Sequence, residues 1–207
     1  ASKGCTELLV SSWRRSFFHP EDYGRKHQIL LASARSGNVI GGGDWAEDRL
    51  VPDMMKAAAA KRTVDIRNPQ AVRPWQHVLE PLSGYLLLGQ LLLAGKPEFA
   101  DAWNFGPSGQ DSISVADTAR VLAASWPEIS FRMHPNADAP HEACLLRLDC
   151  SKANTRMHWH PVWKAAETFQ HTADWYRHFY RENQICTADD LAAYCQAAIE
   201  QDLIWSK

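Results

Sequence analysis

The stretch QILLASARSGNVIGGG, residues 28–43, sets the fold class. Residues 29–34 form an apolar run of strand length, and the Gly-rich end marks a turn. A strand that stays apolar instead of alternating with polar residues is covered on both faces, as in a parallel sheet. Immediately upstream, Cys5, Leu9, Trp13 and Phe17 recur every four residues, which predicts a helix over residues 4–18 ended by His19-Pro20. Downstream, residues 50–61 hold good helix formers at most positions, and TVDI (63–66) reads as a short strand.

The same alternation continues to the end of the chain. Residues 81–93 are almost wholly apolar and predict a buried helix with Pro81 in its first turn. AWNFG, ISFRM and LLRLD read as strands. Ser114-x-x-Asp117 is a capping box ahead of a helix with Val115, Ala119, Leu122 and Trp126 on one face. Residues 151–158 read as a short helix. Ala166, Phe169, Ala173, Tyr176 and Tyr180 stripe the next one, and Thr187-x-x-Asp190 caps a last helix striped by Leu191, Tyr194 and Ala198. Strands that alternate with helices indicate an α/β protein with parallel pairing.

The 207 residues are 45% apolar, ample for a packed core. A formal net charge of −2, from 22 basic and 24 acidic side chains, gives no global field for nucleic acid or an anionic membrane. The longest apolar run, near residues 85–94, is too short to span a bilayer. Five cysteines, an odd number without a C-x-x-C pair, and no visible signal peptide lead us to expect a reduced, cytoplasmic protein.

Several residues invite a chemical reading. The glycines at 41–43 follow a strand and precede a helix, with Asp65 some way on. The spacing Gly37 then Gly41–Gly43 does not fit G-x-G-x-x-G, and Asp44 would push a carboxylate toward a pyrophosphate. A tight loop that lets the backbone approach a ligand is the alternative. His158 and His160 stand two apart, so they share no helix face, and no third ligand stands at zinc spacing. Asp149 and Glu142 are carboxylates that nothing in the sequence brings together. Arg67 and Arg73 bracket NPQAV, and Arg49 opens the helix after the glycines. Arginine suits bidentate contact with phosphate; these three are also compatible with ordinary surface charge.

Six strings, taken together, resemble a known family: SKGCTEL, SARSGNVIGGGDWAEDRLVPD, IRNPQAVRPWQHVLEPLSGY, WNFGP, PHEACLLRLDCSKAN and WHPVW. The family is the extended short-chain dehydrogenase/reductases that act on nucleotide sugars, and within it the subgroup that removes water from CDP-glucose. GNVIGGGDW and RNP…RPWQHVLEPLSGY carry the subgroup resemblance. Epimerases and other dehydratases of nucleotide sugars are the alternative reading, and a stand-alone nucleotide-sugar-binding module is a third.

The resemblance implies the C-terminal portion of such an enzyme. Residues about 1–40 would be a remnant of the NAD-binding domain, and about 41–207 the nucleotide-sugar region with segments returning to the sheet. In the family, NAD takes hydride from C4 of glucose, an acid/base pair eliminates water across C5 and C6, and hydride returns at C6. A Tyr-x-x-x-Lys motif supplies the base, its Lys holding the nicotinamide ribose and lowering the Tyr pKa. Lys3 matches that Lys, and the matching Tyr would stand two positions before Ala1. The expectations are therefore no activity and no NAD binding by this chain alone.

For the substrate, the resemblance implies diphosphate contacts from Asn38, Arg49, Leu50 and Arg73. It places Arg67 beside the nucleotide, and Asn104, His141 and Glu142 closing over it. It also implies a homo-oligomer paired through helices that include the first one. One departure stands out: His158 occupies the place before Trp159 where the family carries Gly, at a helix end that favours a left-handed turn.

Overall fold

The computed structural model describes residues 2–108, 112–134 and 146–206. Along the chain lie α1 (Ser2–Ser16), β1 (Ser33–Ser36), β2 (Asn38–Ile40), α2 (Leu50–Ala59), β3 (Thr63–Ile66), β4 (Val72–Arg73), β5 (Trp75–His77) and α3 (Leu79–Leu93). There follow β6 (Ala102–Phe105), β7 (Ile113–Ser114), α4 (Val115–Ser125), β8 (Ser130–Met133), α5 (Ser151–Arg156), α6 (Ala165–Glu182) and α7 (Thr187–Glu200). The expected parallel pairing is present: β1 runs beside β6, β2 beside β5 and β3 beside β8. Only the two-residue β4 and β7 pair antiparallel among the described residues.

Gly37 separates β1 from β2. A Cβ there would lie 2.6 Å from the Pro74 carbonyl, so glycine lets the chain pass from one pairing to the next. The predicted strand at 29–34 is displaced toward the C-terminus. Its first residues find no partner ladder among the described residues, and the Ser33 amide bonding to the Asp101 carbonyl at 3.1 Å marks where pairing starts. LLRLD forms no strand over its described residues, 146–149; the Leu146 amide makes a single bond to the Val72 carbonyl at 3.3 Å.

Among the described residues, three buried apolar clusters hold the elements together. In the largest, Met54 and Met55 of α2, Ile66, Trp75, Leu122 and Trp126 of the α4 end, and Phe169 and Tyr176 of α6 are packed together and buried. Trp103 and Phe105 of β6 meet Leu88, Met157 and Trp159 in the second. Val162, Trp163, Tyr194 and Ala198 form the third, beneath α7. Each fully buried aromatic contributes roughly 1.5–3 kcal/mol by removal of apolar surface from water.

Most of the expected stripe of each of α6 and α7 is buried, and its first position is exposed. The buried face of α6 starts at Ala165, not the exposed Ala166, and runs through Phe169, Ala173 and Tyr176. In α7, Tyr194 and Ala198 are buried but Leu191 is exposed. Thr187 does not cap α7: its Oγ accepts the Trp175 indole N–H at 3.0 Å, and the Asp190 carboxylate lies 2.9 Å from His171 Nδ1. Ser114 does cap α4, accepting the Asp117 amide at 3.0 Å. His158 takes the left-handed backbone, φ 52°, that its place after α5 demands.

Two helices carry apolar faces open to solvent. On α1 no residue is buried, and Leu9 and Trp13, with Phe17 just beyond its end, are exposed. The predicted burial of α3 holds on one side only: Leu88 is buried, whereas Leu86 is 75% exposed and Leu93 92% exposed, because no described element packs over that side. No described helix is long and apolar enough to cross a membrane.

Candidate functional site

The sequence places Asn38, Arg49, Leu50, Arg67 and Arg73 far apart along the chain, and the fold gathers all five around one cavity of about 610 Å³. Asn38 opens β2, where its amide bonds to the Pro74 carbonyl at 3.0 Å. Arg73 reaches it from β4, two residues ahead of Trp75, which lies beside Asn38 in the β2–β5 ladder. Arg49 and Leu50 come from the N-terminus of α2, and Arg67 follows directly on β3. Ile40, Ile66, Ala71, Trp75 and Val115 supply an apolar lining.

Three arginines and four carboxylates, those of Asp44, Asp48, Asp53 and Asp65, line the cavity. Asp53 pairs with Lys56 at 2.9 Å, and Asp65 with Arg132 at 3.2 Å. Asp44 uses one oxygen to accept the Ala46 amide at 2.9 Å. Among the described residues, Arg49 and Arg67 have no ion pair. Arg73, half-buried, donates from Nη1 to the Val72 carbonyl at 3.1 Å. Arg49 makes no side-chain cap on α2, so the Leu50 and Val51 amides, ahead of Pro52, have no cap acceptor, and both residues line the cavity. Open amides, the helix dipole and guanidinium groups together suit phosphate oxygens.

The other expected residues lie elsewhere. Lys3 is exposed in the first turn of α1 and does not line the cavity. Asn104 lies on β6, outside the lining; its amide donates to the Asp149 carbonyl at 2.9 Å, and its Oδ1 is buried without a partner among the described residues. His141 and Glu142 lie outside the described residues. Asp149 caps α5 by accepting the Ser151 amide at 2.9 Å. Asp44, Asp48, Trp75 and Val115 also line the cavity; in the sequence none carried a signal beyond its neighbours.

The glycine loop does not open onto a ligand. A Cβ on Gly42 would sit 2.0 Å from the Trp175 ring, and one on Gly41 2.9 Å from Val78. The space that glycine leaves is filled by the protein's own side chains.

A buried polar cluster lies under α7, away from the cavity lining. Glu80 is fully buried and accepts the Val162 amide at 2.9 Å, the Trp163 amide at 2.7 Å and the Tyr194 hydroxyl at 2.9 Å. Ser83 donates to the Glu80 carbonyl at 2.8 Å and accepts the Trp159 indole N–H at 3.0 Å. Burial pushes the Glu80 carboxyl up to about 7, outweighing the donors that favour its charged form. Burial likewise pulls the neighbouring His77 down to about 4.

With this geometry in hand, the relatives can be placed. No family model matches the chain. It is 43% identical over 198 residues to a CDP-glucose 4,6-dehydratase of Salmonella typhimurium, covering 95% of this chain and 55% of that protein. A UDP-glucose 4-epimerase from Stenotrophomonas maltophila, solved with NAD and formylated UDP-arabinopyranose, superposes with a TM-score of 0.67 at 19% identity, over 86% of this chain and 55% of its own. The UDP-glucuronic acid 4-epimerase of Bacillus cereus gives 0.65 at 16%, over 84% and 50%. The dTDP-glucose 4,6-dehydratase of Bacillus anthracis, in complex with NAD, gives 0.60 at 14%, over 82% and 48%. The chain thus spans about half the length of the proteins it matches. It has the fold of the extended short-chain dehydrogenase/reductases over that half, and its sequence is similar to that of a CDP-glucose 4,6-dehydratase.

Proposed function

We propose that this chain is the nucleotide-sugar-binding part of a CDP-glucose 4,6-dehydratase, the lyase that converts CDP-glucose to CDP-4-keto-6-deoxyglucose. The observation that carries this reading is the meeting of Asn38, Arg49, Leu50, Arg67 and Arg73 around one cavity. Asn38, Arg73, Arg49 and the first amides of α2 hold the diphosphate. The base and ribose lie along β3 beside Arg67. These residues bind and orient.

The whole enzyme works with NAD, as the solved epimerases and the thymidine-sugar dehydratase do in their complexes. The residues present here do not fit that cofactor. The 41–43 glycine turn is closed by Trp175 and Val78, so it offers no cradle to a pyrophosphate. Lys3 is the residue assigned to the nicotinamide ribose, and it needs a partner for proton transfer. No redox step is therefore assigned to these residues, whose part is to bind and orient the nucleotide sugar.

Calorimetric titration of the 207-residue chain separates the possibilities. CDP is expected to bind, with UDP and dTDP at least about tenfold weaker, the factor one lost base hydrogen bond brings, and NAD silent. UDP binding as well as CDP would favour an epimerase-like site, and heat from NAD would contradict the assignment made here.

The open faces of α1 and α3 are proposed to be buried in a homo-oligomer, since contiguous apolar surface of this kind is covered in stable proteins. Sedimentation velocity is expected to show dimers or larger species at micromolar concentration. A monomer that persists across the concentration range would count against this.

A further inference from the structure

Arg49 lines the cavity, yet its side chain makes no hydrogen bond or ion pair among the described residues. Something else must fix its place. Residues 41–49 have no regular secondary structure, and Asp48 takes a left-handed backbone, φ 56°. A loop of this kind returns its end to one spot only if its middle is anchored.

The anchors come from α6. The buried Tyr176 hydroxyl donates to the Asp44 carbonyl at 2.5 Å. Trp175 fills the space above Gly42, where even a methyl group would collide with its ring. Trp45 lies among four rings of the same helix, with centroids 6.4 Å from Trp175, 5.3 Å from Tyr176, 5.2 Å from Phe179 and 5.7 Å from Tyr180. Gly43, at φ 80°, makes the turn between these contacts. The far end is tied when the Asp53 amide bonds to the Arg49 carbonyl at 2.9 Å, the first turn of α2.

We infer that Tyr176 and Trp175 are positioning residues, which clamp residues 42–45 onto α6 and so hold Arg49 and the α2 N-terminus at the cavity. The inference rests on the reading of that cavity as a nucleoside-diphosphate site. It gives GGGDW a purpose that a phosphate-binding glycine loop does not. The glycines admit an indole, the tryptophan is the ligand of an aromatic cage, and the payload is the arginine four residues on.

A double-mutant cycle tests it, with CDP as the titrant. Tyr176→Phe keeps the ring and removes one hydrogen bond, so CDP affinity is expected to fall about fivefold. In the Arg49→Ala background the same change is expected to cost clearly less, because only the part of the clamp that acts through the α2 amides is left. Equal losses in both backgrounds, or no loss in either, would overturn the positioning role. Hydrogen exchange on the unliganded chain supplies the arm that needs no nucleotide. Tyr176→Phe is expected to quicken exchange at residues 44–49 and leave the β2–β5 ladder unchanged. Unchanged exchange at 44–49, or faster exchange everywhere, would overturn the clamp. If the unmodified chain binds no CDP, the site reading and the positioning role fall together, and exchange alone decides whether the loop is held.

Discussion

Glu80→Ala is expected to destabilise the chain by about 3–5 kcal/mol, the sum of several buried donors orphaned at once. The loss follows from what is left behind. The Val162 and Trp163 amides and the Tyr194 hydroxyl would all lose their acceptor inside the protein. An orphaned buried donor costs about 1–3 kcal/mol. For a domain of this size, a thermal melt should fall by on the order of 10 °C. The pH dependence carries a second signature. Glu80 titrates near 7 in the fold against an ordinary value of 4.5, so its contribution is complete below the ordinary value and is lost as pH rises through about 7. His77 titrates near 4 against 6.5, so its contribution is complete above 6.5 and is lost as pH falls through about 4. Stability should therefore peak between about pH 5 and 6. Glu80→Gln removes the alkaline limb while keeping the shape; a variant whose alkaline limb persists would show that Glu80 is not its source.

Arg73→Ala is expected to weaken CDP binding about ten- to a hundredfold, the equivalent of one charged hydrogen-bonding contact of about 1.5–3 kcal/mol. Arg73 stands on β4, half-buried and braced through Val72, so its fork is held before any ligand arrives. Arg73→Lys keeps the charge and loses the planar fork, and an intermediate loss is expected. Titration of both variants beside a melt separates a binding defect from a folding defect. Unchanged affinity in Arg73→Ala would remove this residue from the site.

The fold was legible where one local signal sufficed. The four-residue stripe of α1, the formers of α2 and the Ser114 cap each produced the expected element. Errors arose where the decisive partner is distant. Residues 29–34 are apolar enough for a strand, but pairing with β6 decides where one begins. LLRLD looks like a strand and lacks a ladder over its described residues. Apolar composition of α3 could not say which side would be covered. The arginines bordering the cavity were visible by type, whereas their convergence depends on β2, β3, β4 and α2 meeting in space. The role of the triple glycine was out of reach, since it depends on Trp175, more than a hundred residues away in sequence.

The most direct test of the cavity assignment is a crystal structure of the chain soaked with CDP. The diphosphate is expected within hydrogen-bond distance of the Arg73 guanidinium, the Asn38 side chain and the first amides of α2, with the base along β3. A diphosphate bound elsewhere, or a cavity left empty at saturating CDP, would contradict it.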